Sequence, residues 1–222
     1  MGWRDWVRGA EIEPSLYAAD FARLGEQIRS LLQAGARVFH FDVGDGHFVP
    51  PVTIGPVVLR SIAPLVHEGG GVLDCHLMVD NPVDHFEEIA ASGGDSVTFH
   101  LEVVPDPTAV ASQARELGLG VGIAINPETP VDAVPRSGMD VALCMSIHPG
   151  YSGQEFMPDA LPRIARLREL LPDVLVQVDG GVGPENARAV REAGGDLLVA
   201  GSSVFYSDDI AGAYRELALT IG

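Results

Sequence analysis

At 222 residues, 46% of them apolar, the chain is long enough for one sizeable core and has no apolar run near the ~20 residues that span a bilayer. Its net charge of −17 argues against a nucleic-acid or anionic-membrane partner, which needs a positive footprint, yet leaves room for a small phosphorylated ligand held by backbone amides. All 14 basic residues are Arg, so Schiff-base chemistry and a lysine general base are excluded.

Residues 1–10 form a polar N-terminal extension with Arg4 and Arg8, without the apolar segment or cleavage site of a secretory signal. Trp3 and Trp6 either dock this extension onto the rest of the chain or a partner subunit, or belong to a tail. Short apolar runs then alternate with amphipathic segments. Strands are predicted at Ile12–Leu16, Val38–Val43, Val72–Met78, Ser96–Leu101, Leu119–Ile125, Val141–Met145, Val174–Asp179 and Leu197–Ala200. Helices are predicted at Phe21–Gln33, Pro56–Val66, Val83–Ala91, Thr108–Leu117, Val131–Arg136, Leu161–Leu171, Glu185–Ala193 and Ile210–Leu219. Near-continuous apolar strands separated by helices make a parallel sheet, and eight such units in 222 residues predict one closed (β/α)8 TIM barrel. The turns Ala34-Gly35-Ala36, Gly93-Gly94-Asp95 and Gly194-Gly195-Asp196 look alike, as repeated βα units would. Cys75 and Cys144 sit inside apolar runs, which predicts free thiols and fits a cytoplasmic, reducing compartment.

In a parallel barrel the active site forms at the carboxyl ends of the strands. Residues i and i+2 of a strand share a face, so His40 and Asp42 point together at the end of the second strand and His76 and Met78 at the end of the third. Asp179 ends the seventh. Two imidazoles and two carboxylates at one mouth suit a divalent metal, most naturally Zn²⁺. A lone strand-end His is more often a hydrogen-bonded structural residue; the joint occurrence on three strands shifts the balance toward a site. Glycine supplies a second signal: Gly150-Tyr151-Ser152-Gly153, Gly180-Gly181 and Gly201-Ser202 follow the last three strands. Any one reads as a tight turn, but three in successive loops point to a phosphate site. His47 is either a cap over the site or a solvated loop residue, His100 faces the mouth, Glu102 is a rim charge, and Met78 and Met145 are an apolar lining or core filler.

These motifs resemble the ribulose-phosphate 3-epimerase family from about Ile12 to Phe205. The resemblance rests on Pro14-Ser15-Leu16 with Ala19-Asp20-Phe21, Asp45-Gly46-His47-Phe48-Val49-Pro50, Leu73-Asp74-Cys75-His76-Leu77-Met78, Asn126-Pro127-Glu128-Thr129-Pro130, Pro149-Gly150 with Gly153-Gln154, Val178-Asp179-Gly180-Gly181 and Ala200-Gly201-Ser202. It implies that His40, Asp42, His76 and Asp179 bind one divalent metal, Zn first with Fe, Mn or Co as alternatives, and that no organic cofactor is used. It implies that Asp42 and Asp179 are the catalytic acid and base. Ser15, His76, Asp179, Gly150, Tyr151, Ser152, Gly153, Gly180, Gly181, Gly201 and Ser202 would bind a sugar phosphate. The expected reaction is 3-epimerisation of D-ribulose 5-phosphate to D-xylulose 5-phosphate through an enediolate, in the pentose phosphate pathway, by a homo-oligomer that is a dimer or a hexamer.

The chain departs from the family pattern at Gly44, where Met is usual, and at Tyr17, His148 and Tyr151-Ser152. Loss of the Met side chain is expected to open space over the reacting carbon. A second ketose phosphate, such as D-allulose 6-phosphate, is therefore the competing substrate, and a non-catalytic sugar-phosphate-binding paralogue is the competing role. A related decarboxylase would need a Lys on the third strand, and none exists.

Overall fold

The computed structural model describes residues 2–7 and 9–222; Met1 and Arg8 of the N-terminal extension lie outside the described residues. The strands are β1 (Glu11–Pro14), β2 (Val38–Gly44), β3 (Val72–Met78), β4 (Ser96–His100), β5 (Gly120–Ile125), β6 (Val141–Met145), β7 (Leu175–Asp179) and β8 (Leu197–Ala200). The helices are α1 (Trp3–Trp6), α2 (Leu24–Ala34), α3 (Pro56–Glu68), α4 (Val83–Ala91), α5 (Pro107–Glu116), α6 (Ala160–Leu170), α7 (Ala187–Glu192), α8 (Ser202–Phe205) and α9 (Ile210–Ile221). The strands are parallel and pair in the order β1-β8-β7-β6-β5-β4-β3-β2. A single parallel bridge, Ser15 to His40, joins the two ends of the sheet and closes the barrel. The (β/α)8 expectation therefore holds.

One predicted helix is absent. Between β5 and β6 the chain forms only a 3-10 turn, Val131–Ala133, where a helix over Val131–Arg136 was expected. Pro130 and Pro135 bracket the segment. Proline supplies no N–H and pushes the residue before it out of the helical region, so four residues between two prolines cannot propagate a helix. Helix α8, which follows β8, was not predicted; at four residues it is too short to show a periodicity.

Alternation along the strands sorts the core into two parts. Outward-facing Phe39, Phe41, Leu73, Leu77, Val97, Phe99 and Ile123 pack against Ile28 and Leu31 of α2, Leu59 of α3, Phe86 and Ile89 of α4 and Ile164 of α6. The inward faces are apolar at the amino end, where Val38, Val141 and Leu197 meet Trp3 and Val7 of the N-terminal extension. Trp3 is 2% exposed. A Cβ on Gly120 would lie 2.8 Å from its indole nitrogen, so β5 needs glycine there to admit the ring. The extension is therefore a plug in the barrel floor. The repeated turns also hold: Gly35, Gly93 and Gly194 all have positive φ. Asp95 and Asp196, with Asp140 in the equivalent place before β6, accept the backbone N–H of Leu73, Val176 and Val121 respectively. Each ties the base of one strand to its neighbour.

Removing the Trp3 indole would leave a cavity that the surrounding strands cannot collapse into. Trp3→Ala should lower unfolding free energy by about 3–5 kcal/mol in a denaturant titration. A loss below about 1 kcal/mol, within the range of surface substitutions and their scatter, would show that the extension is not part of the core.

Candidate active site

The carboxyl end of the barrel is polar where the amino end is apolar. His40 and His76 are 0% exposed and Asp42 is 5% exposed. Their inward atoms converge: His40 Nε2 lies 3.4 Å from His76 Nδ1, and Asp42 Oδ1 lies 3.3 Å from each. Asp179 Oδ2, arriving from β7 on the far side of the ring, is 3.8 Å from His40 Nε2 and 3.6 Å from His76 Nδ1. Tetrahedral ligation with bonds of ~2.0–2.1 Å places adjacent ligand atoms roughly 3.4 Å apart. The donor set, two imidazole nitrogens and two carboxylates with these separations, fits a divalent ion.

The two carboxylates sit in different electrostatic surroundings. Burial alone would raise Asp42, but the charge on His40 and the hydrogen bond from it outweigh burial and hold Asp42 below the ordinary carboxylate range. Ser15 adds to this by donating its hydroxyl to Asp42 Oδ2 at 2.6 Å. Asp179 has no such donors. Burial dominates there; His40 offsets part of it, Asp42 and Asp74 add repulsion, and the carboxyl is pushed up to about 7. Burial pulls both histidines down; in His40 the carboxylates of Asp42, Asp74 and Glu13 reverse the direction, while His76 stays lowered. One carboxylate of the pair thus favours the ionised form and the other the protonated form.

Above this floor is an open pocket lined by Ser15, Tyr17, Asp42, Met78, Met145 and Asp179. Its far wall consists of Gly150, Tyr151, Ser152, Gly153, Gly180, Gly181, Gly201 and Ser202, the glycine clusters expected from sequence. His40 and His76 do not line it; they lie beneath, touching only the floor carboxylates and their own partners. Gly180 and Gly181 have φ of +120° and +64°. A Cβ on Gly180 would fall 2.3 Å from Ile147, and one on Gly181 2.5 Å from the Phe156 amide nitrogen. Only glycine lets this loop turn so closely against the β6 loop. Among the described residues no Arg lines the pocket, so an anion bound there would meet backbone amides and hydroxyls.

Gly44 is not a vacancy. A Cβ there would lie 2.9 Å from Val49, 3.0 Å from the Thr53 methyl and 3.1 Å from the Pro51 carbonyl. Thr53 draws its loop onto the strand: its hydroxyl accepts the Gly44 N–H and donates to the Asp42 carbonyl, each at 2.6 Å. The expectation of opened space fails because the Val49 and Thr53 side chains and the Pro51 carbonyl of the following loop occupy it. His47 is also no cap. It is exposed, its ring lies 3.1 Å from the Asp45 carbonyl, and it is absent from the pocket wall. Asp45 instead organises the turn, accepting the N–H of His47, Phe48 and Asp80.

The sequence reading missed a second polar layer one step down the same strand faces. Glu13, Asp74 and Gln177, each two residues before Ser15, His76 and Asp179, are fully buried. Gln177 donates to both Glu13 and Asp74, with 2.8 Å to Asp74 Oδ2, and Ser96 donates to Asp74 Oδ1 at 2.7 Å. His40 Nδ1 faces Asp74 Oδ2 at 3.3 Å and Glu13 Oε2 at 3.7 Å. Burial pushes Glu13 up to about 7, whereas in Asp74 hydrogen bonds and the His40 charge outweigh burial and lower it. The i−2 spacing was the available signal. Glu102, expected as a rim charge, is exposed but turns its carboxylate toward His100 at 3.2 Å. His100 does not reach the mouth pocket; it is 0% exposed and lies behind His76.

Sequence and structure comparisons agree with this picture. A profile of the ribulose-phosphate 3 epimerase family matches residues 11–205. A ribulose-phosphate 3-epimerase of Synechocystis sp. is 41% identical, covering 90% of this chain and 91% of that protein. One from Bacillus subtilis is 37% identical, covering 93% of this chain and 97% of that protein. Among solved structures, KGPDC from Streptococcus mutans superposes with a TM-score of 0.70 at 13% identity, over 96% of this chain and 98% of that one. Thiamine phosphate pyrophosphorylase from Pyrococcus furiosus gives 0.67 at 20% identity, over 96% and 95%. At these identities the structural neighbours share the fold.

Chelator-treated protein reconstituted with Zn²⁺ should carry one ion per chain by elemental analysis, and His40→Ala and Asp42→Ala should each lose it. Full uptake in both variants would remove this quartet as the centre.

Proposed function

Because the chain belongs to the ribulose-phosphate 3-epimerase family and is thereby an isomerase, we propose that it interconverts D-ribulose 5-phosphate and D-xylulose 5-phosphate. The observation that carries this reading is the pair Asp42 and Asp179: two carboxyls from well-separated strands of the ring, meeting on one pocket floor.

Inverting the carbon beside a ketone means removing one weakly acidic proton and returning one from the other side. Asp42, ionised and oriented by Ser15, takes the proton from C3; the C–H electron pair passes into an enediolate of the sugar. Asp179, on the other side of the site, delivers a proton to the opposite face of C3, and the ketone reforms. The reverse reaction exchanges the two roles. General acid–base catalysis of this kind contributes typically ~10²–10⁴-fold. His40, Asp42, His76 and Asp179 would hold one divalent ion, Zn²⁺ in the first instance with Fe, Mn or Co as alternatives. Such an ion supplies positive charge where the ketone oxygen becomes negative. No organic cofactor enters this chemistry.

The phosphate would rest against the amides of Gly153, Gly180, Gly181, Gly201 and Ser202, with α8 beginning at that wall. Holding it with amides is compatible with a chain of net charge −17. Met78 and Met145 supply an apolar lining beside the reacting carbon. D-allulose 6-phosphate gains nothing from Gly44, whose flank is filled by the Val49–Thr53 loop. We further assign the barrel as one domain following a ten-residue extension, a homo-oligomer in the cytoplasm. The buried free thiols Cys75 and Cys144 fit a reducing compartment, and no helix among the described residues is long and apolar enough to cross a membrane.

Asp42→Asn and Asp179→Asn should each lower kcat by at least ~10²-fold while leaving the thermal transition in place. Near-normal turnover in either would sink the two-carboxylate mechanism. Comparing kcat/KM on D-ribulose 5-phosphate and D-allulose 6-phosphate should favour the pentulose; a hexulose preference would reverse the substrate assignment, and no turnover of either with Zn²⁺, Mn²⁺, Fe²⁺ or Co²⁺ would favour the non-catalytic paralogue.

A further inference from the structure

His76 has two ring nitrogens and only one faces the quartet. Nδ1 is the inward atom, close to Asp42 and Asp179. Nε2 points the other way, 2.9 Å from Nε2 of His100. The two rings meet edge to edge with centroids 5.0 Å apart and planes within 24°, and Phe48 packs against His100 with centroids 4.5 Å apart. His100 Nδ1 in turn lies 3.2 Å from Glu102 Oε2. Glu102 is fixed by the β5–β6 loop: its Oε1 accepts the Asn126 N–H at 2.7 Å and the Thr129 hydroxyl. Arg163 pins that loop by donating to the carbonyls of Asn126 at 2.7 Å and Thr129 at 3.1 Å. The Asn126–Pro130 motif, unexplained by the epimerase chemistry, thus has its contacts here.

We propose that Glu102 and His100 are positioning residues that fix the tautomer of His76, leaving its Nδ1 lone pair free for the divalent ion. This rests on the metal reading of the quartet given above. The polarity of the chain admits one neutral solution. A carboxylate only accepts, so His100 must present N–H at Nδ1 to Glu102. Its Nε2 is then a bare lone pair and can only accept, so His76 must present N–H at Nε2. The remaining nitrogen of His76, Nδ1, is left unprotonated and aimed at the site. Ligand histidines in metalloproteins are commonly held through the second nitrogen in this way, and loss of such a partner lowers metal affinity by roughly 10–100-fold. Here the restraint passes through an intervening imidazole to a carboxylate on the loop after β4.

Glu102→Gln tests the idea because it keeps the shape and reverses one polarity. The Gln oxygen can still accept from Asn126 and Thr129, which turns its NH₂ toward His100. His100 must then accept at Nδ1 and donate from Nε2, which drives the His76 proton onto Nδ1. Zn²⁺ affinity, measured by competition with a chromophoric chelator, should fall roughly 10–100-fold with little change in the thermal transition of the chelator-treated protein. His100→Gln, whose amide oxygen accepts from His76 while its NH₂ donates to Glu102, should retain more affinity than His100→Leu. Nitrogen-15 NMR of Zn²⁺-loaded wild type should find His100 protonated on Nδ1 and bare on Nε2. The opposite tautomer overturns the proposal whether or not any variant folds, as does unchanged Zn²⁺ affinity in Glu102→Gln. Wild type that takes up no Zn²⁺ would instead overturn the metal reading itself, and this relay with it.

Discussion

Taking a carboxylate out of water costs several kcal/mol unless charge and hydrogen bonds replace the lost hydration. This barrel buries Glu13, Asp42 and Asp74 fully or nearly so and Asp179 in large part, all around the one imidazole of His40. His40 also carries the backbone bridge to Ser15 that closes the ring. Its Nε2 faces the upper pair of carboxyls and its Nδ1 the lower pair. The elevated proton affinity of His40, the depressed Asp42 and Asp74 and the raised Asp179 and Glu13 are therefore one arrangement rather than separate features. Acidic density of this kind is costly in an empty core and favourable around a cation, which is why the same residues read as both a structural burden and a functional centre.

The rest of the fold divides the work by height within the barrel. The amino end is sealed by apolar side chains and the Trp3 plug, so solvent reaches the polar layers from the carboxyl end. Between the two, Gln177, Ser96 and Thr98 donate to Asp74 and Gln177 also to one oxygen of Glu13, and β5 contributes Gly120 and Gly122 where its neighbours need the volume. A Cβ on Gly122 would overlap the Thr98 hydroxyl at 2.1 Å. The glycines inside the barrel and those in the pocket loops thus serve different purposes. The first admit another side chain, and the second admit another stretch of backbone.

Specificity within such a site is decided by loops, and here the loops are tied to the floor. Thr53 bonds the carbonyl of Asp42, Ser146 donates to the carbonyls of Asp179 and Gly180, and Asn126 and Thr129 reach His76 through Glu102 and His100. The loops around the pocket and the His/Asp floor are consequently connected by short hydrogen-bonded paths. A loop substitution can alter the floor without touching the ligand, because each path ends on a floor residue or its immediate partner.

Much of this was legible in the chain. Strand positions follow from short apolar runs, and the i, i+2 rule put His40 with Asp42 on one face; both are local properties. The glycine clusters were legible for the same reason, since each marks the end of a strand whatever surrounds it. Sequence could not place the Val49–Thr53 loop against Gly44, because a missing side chain does not reveal what moves into its volume. It gave Glu102 a rim role without its partners, because the contacts that hold its carboxylate come from a loop more than twenty residues away. It expected a helix after Pro130, because amphipathic spacing was weighed over two prolines that leave it no length. The amino-acid order by itself determined the barrel and the four residues at its mouth, since periodicity and strand ends are written along the chain. Only the tertiary structure decided which nitrogen of each histidine faces inward and how differently Asp42 and Asp179 are surrounded. Those depend on distances between groups from β1, β2, β3, β4 and β7, which closure of the ring alone brings together.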